Sequence, residues 1–286
     1  MSRVATARTV HVFVAGHTDE MLSTVPKGDE FEAVDLRALT LAPRFDSNAF
    51  AEARFLLSLE ARDVQAEYVG FCSANYDRKF PKPPHLNALP RLARHLQPCE
   101  ALGTKLATDW LAEAESQHPG MTAVLQRVAT QFGLRMLPER VPYANTLVCH
   151  RDDWFRLLDA LHSMLTAVLD WYGPRSPFRY RCLRCGTLSD TGHGRYTHER
   201  HIGYLAERLT MLHFASRPDI RFVTPKAVRL RTSRVARARS QLYTLMRARG
   251  IPVPQLGRAP SVSPLDGPRC PGCVAQAAPP AHAAPD

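Results

Sequence analysis

Val10-His11-Val12-Phe13-Val14-Ala15-Gly16-His17-Thr18 is the stretch on which the fold turns. Its first six residues are apolar and mostly β-branched or aromatic, with one polar interruption at His11, and the run stops at Gly16. A short, nearly continuous apolar run ended by a turn signal predicts a strand buried on both faces, as in parallel sheets covered by helices. Working outward, Phe31–Leu36 and Glu67–Cys72 read as two more strands, the latter with a polar exit over Ser73–Phe80. Pro81, Pro83 and Pro84 stop any element there. Asp46-Ser47-Asn48 offers cap residues to a helix reaching Arg62. Further helices are expected from Thr104 to Glu115 and from Pro119 to Phe132, with Gly133 at the C-cap position. Val141–Val148 reads as extended. Trp154, Leu157, Leu158, Leu161, Leu165 and Val168 repeat with the helical period, capped by Asp152-Asp153 and ended by Gly173-Pro174. A helix over 199–214 and a last strand at Phe222-Val223 complete an alternation that predicts an α/β domain over residues 9–223. A Gly/Arg/Cys-rich loop at 174–198 interrupts it.

The chain has 286 residues, 45% hydrophobic and 22% charged, which excludes an extended disordered protein, a collagen-like chain and a disulfide mini-scaffold. No apolar run approaches the roughly 18 residues of a membrane span. The N-terminal stretch does not read as a secretory signal, so the cytoplasm is the expected compartment, with a peripheral place at the inner membrane face. Net charge is +10, and it is local. Residues 220–265 hold ten basic residues and no acid, and the remainder is balanced at 27 basic against 27 acidic. The basic surplus therefore marks an appendage: a helix within 224–250, starting at Thr232-Ser233, and then a tail over 251–286 with nine prolines that is expected to be mostly disordered. Arginines spread around such a helix suit an anionic membrane surface or nucleic acid. With Tyr243 as almost the only aromatic there, base stacking is not indicated.

Several constellations can carry chemistry. His17 and Thr18 follow the first strand, and open α/β sheets bind ligands beyond the carboxyl ends of their strands; the plain alternative is a polar loop. Asn75 and Asp77, just past another strand, can present two oxygens to a divalent cation such as Mn²⁺ or Mg²⁺, or Asp77 can pair with Arg78 on the surface. In the helix Arg200–Leu209, Arg200, Tyr204 and Glu207 share the face opposite the stripe Ile202, Leu205, Leu209, Leu212. If that face lines a cleft, Glu207 can act as a general base with Arg200 setting its charge; if it meets water, it is an ion-pair ladder. Gly203 beside it lowers helix propensity and points to close packing. Four of the seven cysteines form two Cys-x-x-Cys pairs, Cys182/Cys185 and Cys270/Cys273, the spacing of a structural zinc site. The alternatives are Cys182 and Cys185 with His193, His198 or His201, or four free or redox-active thiols.

Four of these places stand in an order that resembles a bacterial family of glycosyltransferase-like proteins of capsular and exopolysaccharide synthesis. They are Val14-Ala15-Gly16-His17-Thr18; Glu52 followed by Tyr68-Val69-Gly70-Phe71-Cys72 and Tyr76-Asp77-Arg78-Lys79-Phe80; Tyr143-Ala144-Asn145-Thr146-Leu147-Val148 before Trp154-Phe155; and Arg200-His201-Ile202-Gly203-Tyr204-Leu205-Ala206-Glu207-Arg208-Leu209. The resemblance covers about residues 10–223. It implies a single Rossmann-like domain of the A-type glycosyltransferase fold, a nucleotide-sugar donor and a hydroxyl acceptor such as a lipid-linked glycan. It implies His17 and Thr18 near the nucleotide, Arg78 or Arg200 or a cation against the diphosphate, Glu207 at the acceptor hydroxyl and Asn145 on sugar hydroxyls. The chain departs from the family at Asn75-Tyr76-Asp77-Arg78, where the family usually has His-Tyr-Arg-Arg, in its cysteine pairs and tail, and in having no Asp-x-Asp metal signature. Two other functions compete: a zinc-stabilised nucleic-acid-binding module and a transferase-like scaffold without activity.

Overall fold

The computed structural model describes residues 8–47, 50–79, 85–103, 106–107, 109–136, 141–142, 146–173, 178–181, 188–189, 192–193, 196–197, 201–232, 241 and 245. In chain order the elements are β1 (Val10–Gly16), α1 (Asp19–Ser23), β2 (Phe31–Asp35), α2 (Ala53–Leu56), β3 (Tyr68–Ser73), α3 (Tyr76–Lys79), α4 (Leu89–Ala93), β4 (Glu100–Gly103), β5 (Leu106–Ala107), α5 (Trp110–Gln117) and α6 (Met121–Phe132). They continue as β6 (Val141–Pro142), β7 (Leu147–His150), α7 (Arg151–Tyr172), β8 (Tyr180–Arg181), β9 (Leu188–Ser189), β10 (Gly192–His193), β11 (Tyr196–Thr197), α8 (His201–Ala215), β12 (Arg221–Val223) and α9 (Pro225–Thr232).

Six of the described strands form one sheet in the order β12-β4-β7-β3-β1-β2, with helices packed against it. β1 pairs in parallel with β2 and β3, and β12 in parallel with β4. β7 runs antiparallel to both of its neighbours. The alternation of β1 assigns its side chains to two cores. Phe13 and Ala15 join Val69, Phe71, Ala101 and Cys149 under α5, α6, α7 and α8. Val12 and Val14 join Cys72, Leu102, Val148 and Val223 under α4 and α9. Both faces are covered, as the nearly continuous apolar run at Val10–Ala15 predicts.

Several expected boundaries shift for physical reasons. The helix expected to reach Arg62 is instead the single turn α2 and a 3₁₀ turn at Glu60–Arg62. There the Leu59 N–H donates to the Thr40 carbonyl at 3.4 Å and Glu60 Oε1 accepts the Thr40 N–H at 3.0 Å, so contacts to the chain after β2 displace helical continuation. β4 was not expected; its first residue is a glutamate, and the following helix starts at Trp110 rather than near Thr104. Gly133 does end α6, in the left-handed region at φ 63°. α7 is capped by His150, whose Nδ1 accepts the Asp152 N–H at 3.3 Å, while Asp153 turns inward to Arg217 at 3.0 Å. The basic helix does not begin at Thr232-Ser233. α9 begins at Pro225, where proline suits the first turn, with Thr224 Oγ1 accepting the Ala227 N–H at 3.3 Å. Thr232, the last described residue of this stretch of helix, is bonded back to the Val228 carbonyl. Packing is continuous across residue 223, because Val228 is fully buried against the sheet. Most of 233–250 and all of 251–286 lie outside the described residues.

Candidate functional site at the carboxyl ends of the central strands

The registers Ala15↔Ser73 and Gly16↔Asp35 bring the carboxyl ends of β1, β2 and β3 level. The chain leaves β1 for β2 on one side and reaches β3 on the other. This is the topological switch point at which open α/β sheets hold ligands. His17 is exposed there. Thr18 Oγ1 accepts the Met21 N–H at 3.2 Å and caps α1. Asn75 donates its N–H to Ser73 Oγ at 3.3 Å, and its amide Nδ2 lies 3.8 Å from Met21 Sδ, so the exits of β1 and β3 touch. Tyr76 is buried in the α4 core and anchors α3, leaving Asp77 and Arg78 outward.

Asp77 has a structural task. Its Oδ1 accepts the Leu86 N–H at 2.9 Å and lies 3.5 Å from His85 Nδ1, tying α3 to the return of the chain at 85–88. Among the described residues no three His, Cys, Asp or Glu side chains gather to hold a metal ion. With one Asp77 oxygen committed to a backbone amide, Asn75 and Asp77 make an incomplete donor set for a divalent cation.

Sequence reasoning missed Asp35 and Arg37 at the same edge. Arg37 Nε and Nη2 grip Asp35 at 2.8 and 2.7 Å, and Nη2 also reaches Asp19 at 2.5 Å. The Arg37 side chain holds the Asp35 carboxyl down at about 2, with the Arg37 N–H to Asp35 Oδ1 adding to it. The resulting clamp spans the ends of β1 and β2. The signal was present: Asp35 ends a strand that begins beside β1, and the edge logic applied to His17 applies equally to it.

β7 starts at the same edge, since Leu147 stands opposite Phe71 and Gly103. Asn145 precedes it in sequence but lies outside the described residues, as does Arg200.

Tyr204 and Glu207 belong to a second group, on α8. The expected stripe Ile202, Leu205, Leu209 and Leu212 is buried, but so are Ala206, Arg208, Thr210 and Met211. The helix is thus enclosed on most sides, and within 202–215 all positions are buried except Tyr204 and Glu207, which are half-buried. Gly203 is buried, as close packing on that side requires. The Tyr204 ring stacks on His118 at 4.9 Å, and His118 also meets Phe178 at 5.4 Å. Burial, with the Arg208 charge adding, lowers the His118 pKa to about 4. Arg208 Nη2 donates to Gln117 Oε1 at 3.4 Å. The structure therefore gathers His17, Thr18, Asn75, Asp77 and Arg78 at the sheet edge and sets Tyr204 beside His118, with Glu207 half-buried on the same helix. Cys182, Cys185, Cys270 and Cys273 lie outside the described residues.

No family model matches the chain, and no curated protein matches it. Among solved structures it is similar to the WbbM bifunctional glycosyltransferase in its apo form, at 13% identity and a TM-score of 0.48. The match covers 76% of this chain and 44% of that one, so the chain spans less than half the length of that neighbour. Among the described residues no helix is long and apolar enough to cross a membrane.

Proposed function

We propose that the chain is a glycosyltransferase that moves a sugar from a nucleotide-sugar donor to a hydroxyl acceptor. One observation carries the reading: polar residues expected from two separate segments, 17–18 and 75–78, meet at the β1/β3 switch point of a mixed α/β sheet. The nucleotide lies over His17 and Thr18, beside the Asp35–Arg37 clamp. Arg78, with Arg200, offsets the diphosphate charge through charge-assisted hydrogen bonds. Glu207 takes the proton of the acceptor hydroxyl as positive charge grows on the sugar carbon, and Arg200 keeps it ionised. Tyr204 and Asn145 contact sugar hydroxyls. The acceptor is a lipid-linked glycan, and the basic segment after α9 holds the protein at an anionic membrane surface.

A panel of nucleoside diphosphates and nucleotide-sugars, with and without Mn²⁺, tests this by thermal shift. A binder at about 100 times its Kd stabilises the fold by roughly 2.7 kcal/mol. A flat response to every nucleotide ends the proposal. Glu207→Gln is expected to keep nucleotide binding and lose transfer by about two to four orders of magnitude; unchanged transfer removes Glu207 from the mechanism.

The bond between Asp77 and the Leu86 amide favours a second reading, a transferase-like scaffold that binds nucleotide without turnover. Both readings predict binding; only the enzyme releases free nucleoside diphosphate in the presence of acceptor. Nucleic-acid binding is less favoured, because Arg221 and Arg231, two of the ten basic residues of 220–265, are bound to Glu100.

A further inference from the structure

The helix α6 has two faces. Met121, Val124, Leu125, Val128 and Ala129 are buried in the core. Ala123, Gln126, Arg127, Thr130 and Gln131 stand at i, i+3, i+4, i+7 and i+8 and are exposed. With Trp171 from the last turn of α7 they line an open depression of about 460 Å³, which shares no residue with the sheet-edge site. We propose that this depression binds saccharide, and that Arg127 selects a sugar ring carrying a carboxylate. Such a site holds a glycan whether or not the chain transfers sugar, so it goes beyond the glycosyltransferase reading.

The argument begins at Arg127. Its Cζ lies 4.2 Å from the centroid of the Trp171 ring and 5.3 Å from that of Tyr172. The two rings are half-buried and stand at 83° with centroids 6.2 Å apart, a corner against which the guanidinium is set. Stacking occupies the flat face of a guanidinium and leaves its N–H edge open. Among the described residues no carboxylate pairs with that edge. Asp170, next to Trp171 in the chain, is turned to Arg44 at 2.6 Å, and no acid lines the depression. A stacked guanidinium without a counter-charge suits one carboxylate, taken through two parallel N–H···O bonds.

The remaining lining matches sugar hydroxyls, which both donate and accept. The Gln126 and Gln131 carboxamides make no side-chain hydrogen bond among the described residues, and each brings two donors and an acceptor. Thr130 Oγ1 donates to the Gln126 carbonyl at 2.9 Å and keeps its lone pairs for a ligand. The indole N–H of Trp171 has no acceptor among the described residues either. Other ligand classes fit less well. An acyl chain needs apolar walls, and here only Ala123 and Trp171 are apolar; a diphosphate needs more positive charge than the single Arg127.

Tryptophan fluorescence of the full chain provides the test. Of its three tryptophans, Trp110 and Trp154 are fully buried, so a ligand in the depression is read through Trp171. The probes are tetramers of galacturonate, glucuronate and mannuronate, each beside its carboxyl-reduced, neutral counterpart. At least one acidic tetramer is expected to change the emission saturably and to bind about tenfold or more tighter than its neutral counterpart. Arg127→Gln should lose about the same tenfold while unfolding thermally as wild type does, since Arg127 is exposed. Gln131→Ala should weaken the acidic tetramer by about three- to tenfold. No emission change with any acidic tetramer overturns the proposal, as does equal binding of acidic and neutral tetramers or undiminished binding by Arg127→Gln. Acetate that displaces the tetramer at equal concentration reduces the site to a plain anion site and overturns the saccharide. No nucleotide enters this measurement, so its failure leaves the transfer reading to its own thermal-shift test.

Discussion

Glu100 has no exposed side-chain surface, yet it remains ionised between two arginines. Arg231 binds it bidentately at 2.8 and 2.7 Å, Arg221 pairs with Oε1, and the Gln97 N–H donates at 3.0 Å. Burial alone would raise its pKa; Arg231, the Gln97 amide and Arg221 outweigh that and hold it below the ordinary value. Removing the carboxylate frees Arg221 and Arg231, whose side chains already reach solvent, and leaves the Gln97 N–H without its acceptor. Glu100→Ala is expected to destabilise the fold by about 1–3 kcal/mol in urea titration. Because the folded pKa is depressed, this stabilisation is present above the ordinary glutamate pKa of 4.5 and is lost as pH falls below it. His118 and His213 act at milder pH. Burial is the main cause that lowers each to about 4 from an ordinary 6.5, with Arg208 and Arg217 respectively adding to it. Between those values the unfolded chain binds more protons, so stability should be full above pH 6.5 and fall steadily towards pH 4. Urea midpoints measured across that range for His118→Phe and His213→Phe should show a shallower slope than wild type. An unchanged slope would mean that neither ring is held neutral in the fold.

At the scale of elements, the alternating cores make Gly70 a sensitive position. A Cβ there would lie 2.9 Å from Val148 Cγ2 and 3.1 Å from Val12 Cγ2. Both neighbours are β-branched side chains in adjoining strands and cannot rotate away cheaply. Gly70→Ala should cost about 1–3 kcal/mol, and Val148→Ala in the same chain should restore part of it. Full additivity of the two losses would show that the methyl never meets Val148. Helices were legible where period and punctuation agreed: α7 from its apolar repeat and Gly173, α6 from its end at Gly133. The region of α2 was not, because Phe50, Phe55, Leu56 and Leu57 look helical locally while the Thr40 contacts bind the following turn. β4 escaped for the opposite reason: Glu100 reads as a solvated residue until its two arginines, more than a hundred positions away, are in place.

For the whole molecule, α9 is part of the body. Val228 is buried among Val10, Leu96 and Val223, and Arg231 closes over Glu100. A chain ending after Val223 should therefore be less stable than one ending after Thr232 by about 3 kcal/mol or more, read from thermal and urea unfolding. Equal stability would return the boundary to residue 223. The sequence by itself determined the central strand, its carboxyl-end loops as candidate ligand positions, the long helix and the charge segregation, since each depends on local period, turn chemistry or simple counting. Tertiary structure decided the strand order with its antiparallel β7, the Asp35–Arg37 clamp, the structural task of Asp77 and the burial of Glu100. Each of those depends on which distant segments become neighbours, and pairing across a sheet leaves little trace in the local order of residues.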